Sequence, residues 1–119
     1  MQKLYQKKIP LLDCGHEYIR EVLYGRWKIV LLYHIFNGIK RPGELERKIP
    51  QATRRVLDVQ LSQLLNHGLI VKNIFKETIP HVEYEMTELG KTLIPVIMVM
   101  IKWGNDNKGE LRKVIQIET

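Results

Sequence analysis

Apolar positions recur at two different periods along the chain, and the change of period marks the elements. Between residues 53 and 68, Leu57, Leu61, Leu64 and Leu65 fall at helical spacing. In HVEYEMT, Val82, Tyr84 and Met86 alternate with His81, Glu83 and Glu85, the period of a half-buried strand. LIVKNIF reads as its partner strand, with Thr78, Ile79 and Pro80 in the loop between them.

Stop and start signals divide the rest. Pro42 suits a first helical position, where its missing N–H would have no partner. Pro50 ends that helix near Lys48, because the residue before a proline is pushed out of the α region. Thr53 is placed to cap the next helix, and Gly68 to end it. Upstream, Asp13 or Cys14 opens a helix over about 15–24, with Tyr18, Ile19, Val22 and Leu23 on one side. Gly25 interrupts. Trp27 to about Phe36 is apolar nearly all round, as expected of a central core helix. Thr87 and Glu88 cap a long apolar helix over about 88–104, in which Pro95 should bend the axis or loosen one hydrogen bond. Residues 108–117 read as a short last helix.

The expected fold is therefore α+β, mainly α. It is a winged helix-turn-helix with a two-stranded wing and extra N- and C-terminal dimerisation helices. A single domain spans 1–119, with an N-terminal arm over 1–13 that carries Lys3, Lys7, Lys8 and Pro10. The core is 14–87, with the helix-turn-helix at 42–66 and the wing at 69–87. The dimerisation helices follow at 88–119.

Composition sharpens this picture. A chain of 119 residues that is 45% hydrophobic can bury a core. The net charge is +6. Between Lys40 and Lys76, eight Lys/Arg face three Asp/Glu, so that segment carries +5 of it. The excess sits on the proposed reading module and points to a polyanionic partner. One cysteine excludes an intramolecular disulfide framework. No apolar leader segment is visible, and the longest apolar run, 93–101, is far short of a membrane span. A cytoplasmic protein is expected. The four histidines show no metal-ligand spacing, and no phosphate loop or nucleophile elbow is present. No cofactor, no metal and no enzymatic activity are expected.

In the recognition helix, Arg55 faces outward one turn from the start, where an arginine can bond bidentately to guanine. Arg54 lies nearer the core side and suits a phosphate, and Thr53 can cap the helix and touch a phosphate. Gln51 and Gln63 are candidates to read adenine, and Val59 to meet a thymine methyl. Arg41, Lys72 and Lys76 are candidate backbone contacts, which position rather than specify. Tyr18, Val22, Leu93, Ile97, Met100, Ile101 and Trp103 are the expected dimer contacts, because the C-terminal helix carries more apolar surface than one small domain would cover. Cys14 stands at a helix start, where the dipole favours the thiolate, so it is either a candidate redox sensor or a small packed side chain.

The segments GRWKIVLLYHI, GIKRPGELERKIPQATRRVL, LLNHGLI and IPHVEYEMTELGKTLIPVI, followed by Trp103-Gly104, occur in this order over 14–104. In this the chain resembles the HxlR-type family of winged helix-turn-helix transcriptional regulators. It departs from that pattern at Pro42, Gln51, Ala52 and Ile79-Pro80-His81. The resemblance implies a homodimer that inserts recognition helices in adjacent major grooves of operator DNA. It further implies a response to an oxidant or a small-molecule effector. A winged-helix module for protein–protein assembly, with no operator, is the alternative that the +5 segment and an outward Arg55 argue against.

Overall fold

A computed structural model gives the structure of the chain and describes residues 13–115. Residues 1–12 of the expected N-terminal arm over 1–13, and residues 116–119, which include the expected end of the last helix, lie outside the described residues.

Local signals set the elements. Helix α1 runs Gly15–Leu23 and α2 Lys28–Phe36. Gly25 separates them at φ +156°, a conformation that glycine tolerates and side chains resist. Helix α3 is Pro42–Lys48, with the proline in its first turn, and the Glu44 carboxylate accepts the Arg41 backbone N–H at 3.5 Å. Helix α4 is Arg54–Asn66. The Thr53 hydroxyl caps it by accepting the Val56 N–H at 3.2 Å. At the other end Gly68 takes φ +75°. Its N–H bonds to the Leu65 carbonyl at 3.0 Å, and the Leu69 N–H reaches the Leu64 carbonyl at 3.1 Å. This paired closure satisfies carbonyls that a helix end otherwise leaves open, and it buries Leu69 beside the last turn.

Strands β1 (Ile70–Phe75) and β2 (His81–Met86) form an antiparallel hairpin whose register runs from Ile70 opposite Met86 to Phe75 opposite His81. Ile70 and Tyr84 are buried at its base. The Tyr84 N–H donates to the Lys40 carbonyl at 2.9 Å, which fixes the hairpin to the chain entering α3. Helix α5 (Glu88–Asp106) continues unbroken through Pro95, two residues past its expected end, and a short α6 covers Lys108–Arg112.

The core gathers Leu31, Leu32 and Ile35 of α2, Leu45 of α3, Leu57, Leu61 and Leu64 of α4, and Ile94 and Ile97 of α5. The last of these corrects the expected dimer set. Ile97 is wholly buried in its own protomer, while Leu93, Ile101 and Val22 pack at the edge of that same core. Trp103, Met100 and Tyr18 stay exposed. Helix α5 is apolar on two faces, so sequence alone does not give the phase of the inward one.

Helix α5 leaves the hairpin through a tight junction. The Thr87 hydroxyl accepts the Gly90 N–H at 2.9 Å and donates to the Gly68 carbonyl at 2.7 Å. A Cβ on Gly90 would stand 2.1 Å from the Leu69 carbonyl oxygen, a backbone atom that cannot swing aside. We predict that Gly90→Ala destabilises the chain by about 3 kcal/mol or more, lowering Tm by roughly 10 °C in a thermal melt. An unchanged Tm would show that the junction can open at little cost.

Candidate DNA interface

Helix α4 has a sharply divided surface. Leu57, Leu61 and Leu64 hold it to the core, and the opposite side presents Arg55, Val59, Ser62 and Asn66 to solvent, with Gln63 half-buried beside them. Val59 is 49% exposed, and apolar contact is what a thymine methyl offers. Arg55 is exposed, and among the described residues no carboxylate lies within ion-pairing distance of it. Its guanidinium is thus available to an external acceptor at no cost in a broken pair.

The two flanks of α4 differ. On one, Arg54 pairs with Asp58 at 3.8 Å, both side chains more than half exposed. A surface pair of this kind adds little stability, so Arg54 can exchange Asp58 for a phosphate. This flank faces β2. Burial pushes the Tyr84 hydroxyl above its ordinary pKa, with Asp58 adding to the rise and Arg54 opposing it. On the other flank, the Gln60 carboxamide oxygen accepts the Trp27 backbone N–H at 2.8 Å. That bond joins α4 to the corner between α1 and α2. Sequence reasoning missed Gln60, because its partner lies 33 residues away and no local period marks it.

Gln51 lies exposed in the turn before α4, and Thr53 is exposed with its hydroxyl committed to the cap. On the hairpin, Lys72 stands opposite Tyr84 and so shares the sheet face directed at α4. Lys76 is exposed at the tip, just beyond β1. Neither lysine is ion-paired among the described residues.

Arg41, an expected backbone contact, is already engaged within the chain. Its Nε lies 3.6 Å from a Glu83 carboxylate oxygen, and its Nη2 3.2 Å from His81 Nε2. His81 Nε2 is itself 3.1 Å from Glu83, and the imidazole stacks on Phe75 with 4.8 Å between ring centroids. Arg41 therefore braces the wing against the entrance of α3. A phosphate would have to compete with Glu83 for it. Nearby, Lys40 bonds Glu85 at 3.1 Å and holds that carboxyl below its usual pKa.

Cys14 is exposed at the start of α1, and its side chain makes no capping bond. It is not packed within the protomer. One turn on, the Tyr18 hydroxyl donates to Asp13 at 2.5 Å, and that bond pushes the Tyr18 pKa up. Among the described residues no three His, Cys, Asp or Glu side chains are grouped to hold a metal, and no helix is long and apolar enough to cross a membrane.

Comparison with known proteins agrees with this geometry. Residues 22–112 match the family described as HxlR-like helix-turn-helix. The HTH-type transcriptional regulator YdeP of Bacillus subtilis is 40% identical over 101 residues, covering 85% of this chain and 79% of the relative. The solved structure of the redox regulator HypR in its reduced form superposes with a TM-score of 0.78 at 36% identity, covering 84% of this chain and 99% of HypR. The oxidised form of HypR gives 0.74 at 38% identity, covering 79% and 97%. A two-stranded wing beside a capped, outward-facing helix, matched along most of the chain, places this protein in the HxlR-like helix-turn-helix family of DNA-binding transcriptional regulators.

Proposed function

We propose that the protein is a homodimer that sets two copies of α4 into successive major grooves of an operator, with Arg55 as the principal base-reading residue. The observation that carries this reading is the bare outer face of α4. It combines an unpaired Arg55, an exposed Val59 and amide side chains on a helix whose other side is locked in the core. Arg54, Lys72 and Lys76 supply phosphate contacts around it. The wing is braced by Arg41, His81 and Glu83 and carries Lys76 at its tip.

The dimer half of the proposal is supported by α5. Leu89, Val96, Val99, Met100 and Trp103 are all exposed, Val99 by 68% and Trp103 by 60%. At about 100° per residue these five fall within one stripe, on the side of the helix away from Ile94 and Ile97. A second apolar stripe on a helix already anchored by the first calls for a second covering surface. Tyr18 of α1, 51% exposed, is the aromatic candidate to join it. Two α4 helices about 34 Å apart would read half-sites one helical turn of DNA apart.

An oxidant response through Cys14 is the finer part of the same reading. It draws on the exposed thiol and on the likeness to a redox regulator. Peroxide would oxidise the thiolate to a sulfenic acid, which condenses with a second thiol, such as the partner's Cys14, releasing water.

Arg55→Ala should cut the preference for a selected duplex over a scrambled one by roughly 5- to 150-fold, from about 1–3 kcal/mol of lost discrimination. Lys76→Ala should weaken both duplexes alike and reduce the slope of log K against log salt by about 0.9. Full base preference in Arg55→Ala titrations would remove Arg55 from the reading role. In sedimentation, Trp103→Lys should shift the protein from dimer to monomer, and a variant that stays dimeric would move the interface elsewhere. Peroxide should change DNA affinity in the wild type and not in Cys14→Ser; equal responses in the two would dismiss Cys14.

A further inference from the structure

The corner between α1 and α2 is held against the reading helix by contacts that serve no evident purpose in the core. Besides the Trp27 N–H to Gln60 bond, the Gln60 carboxamide lies 3.1 Å from where a Cβ on Gly25 would stand. The corner can approach this closely because residue 25 is glycine, in a conformation with positive φ. The result is an open hollow of about 370 Å³ in which Tyr24 and Gly25 meet Arg55, Val59 and Gln63. Tyr24 is 74% exposed, so a ring and a hydroxyl stand on the same surface as the outer face of α4.

The corner is also cationic. The Arg26 guanidinium lies 5.0 Å from the Trp27 ring, and that of Arg20 lies 5.6 Å over Tyr24. Arg26 is exposed and has no carboxylate partner among the described residues. Stacking occupies the face of a guanidinium and leaves its N–H edge to donate. The acidic groups of α1 are directed elsewhere: Glu17 lies 3.9 Å from His16, and Glu21 acts on Lys28. Lys28 itself is buried, and desolvation depresses its pKa, so it is not part of the outer surface.

We infer that Arg26 and Tyr24 form a second phosphate-binding element, which grips the DNA strand on the side of the groove opposite the wing. This rests on the reading of α4 as the helix that enters the major groove. A helix is about 10–12 Å across with its side chains, and the groove is about 12 Å wide. An inserted helix therefore has a phosphodiester wall on each flank. The Arg54–Asp58 flank turns toward the hairpin and its lysines. The Val56–Gln60 flank turns toward Tyr24, Gly25 and the Trp27 backbone, and Arg26 lies between the last two in the chain, over the Trp27 ring. The Gln60 bond sets the spacing between reader and clamp, so the two present themselves as one rigid surface. The ligand chemistry is a backbone phosphate, met by the guanidinium edge and the phenol hydroxyl, and it carries no base preference.

The test uses the full chain and a duplex selected from a random pool by the wild type. Arg26→Gln should weaken binding to the selected duplex and to a scrambled one by the same factor, about tenfold, and flatten the salt slope by about 0.9. Arg26→Lys should restore the slope, and Tyr24→Phe should weaken binding about threefold to tenfold with an unchanged slope. Replacing single phosphates by neutral methylphosphonates adds position. The wild type should lose affinity at a phosphate beside the groove where Arg26→Gln loses none. A salt slope and methylphosphonate profile equal to wild type in Arg26→Gln would overturn the clamp while Arg55 dependence stands. A wild type that selects no sequence would overturn the reading of α4 as well.

Discussion

Three elements meet at one peptide carbonyl, that of Leu69. It accepts the Thr87 N–H at 3.1 Å and lies where the first turn of α5 crosses Gly90. The preceding carbonyl, of Gly68, takes the Thr87 hydroxyl. The end of α4, the start of β1 and the start of α5 are therefore bound to one another within a few ångströms. No side chain at residue 90 is compatible with that spacing. The orientation of the reading helix relative to the exposed stripe of α5 is set here, and a dimeric reader needs that orientation to be fixed. Thr53 at the other end of α4 and Gln60 at its middle hold the same helix at two further points.

The outer face of α4 gains from this restraint. A base-reading side chain is useful only if its backbone does not move when the groove closes round it. Arg55 is the second residue of a capped helix whose buried side is packed in the core. In the proposed complex, specific and non-specific contacts are separated in space. Arg55, Val59 and Gln63 would read bases from the crest, while the cations on the flanks and the wing would meet phosphates. Such a division lets electrostatic attraction bring the protein to any duplex and leaves discrimination to a few side chains.

Much of this was legible in the residues. Pro42, Thr53, Gly68 and Thr87 act locally, and each stands at the helix end that its chemistry indicated. The hairpin followed from strict alternation over residues 81–86, and the outward position of Arg55 from the leucine period of α4. What escaped was long-range. Helix α5 is apolar on two faces, so its pattern has no single phase, and Ile97, an expected dimer contact, belongs to the core. Nothing local marks the partners of Arg41, an expected backbone contact, because Glu83 and His81 lie some forty residues on. Gln60 carries no local signal and Gly25 only that of a break between helices, since their importance lies in a contact between elements that the chain joins only distantly.

Hydroxyl-radical footprinting of the wild-type protein on a selected duplex tests the central claim most directly, because it reports groove, strand and symmetry together. Two equivalent tracts of backbone protection, related by a dyad and centred about ten base pairs apart, are the predicted result. A single tract, or protections unrelated by twofold symmetry, would contradict a pair of α4 helices seated in successive major grooves.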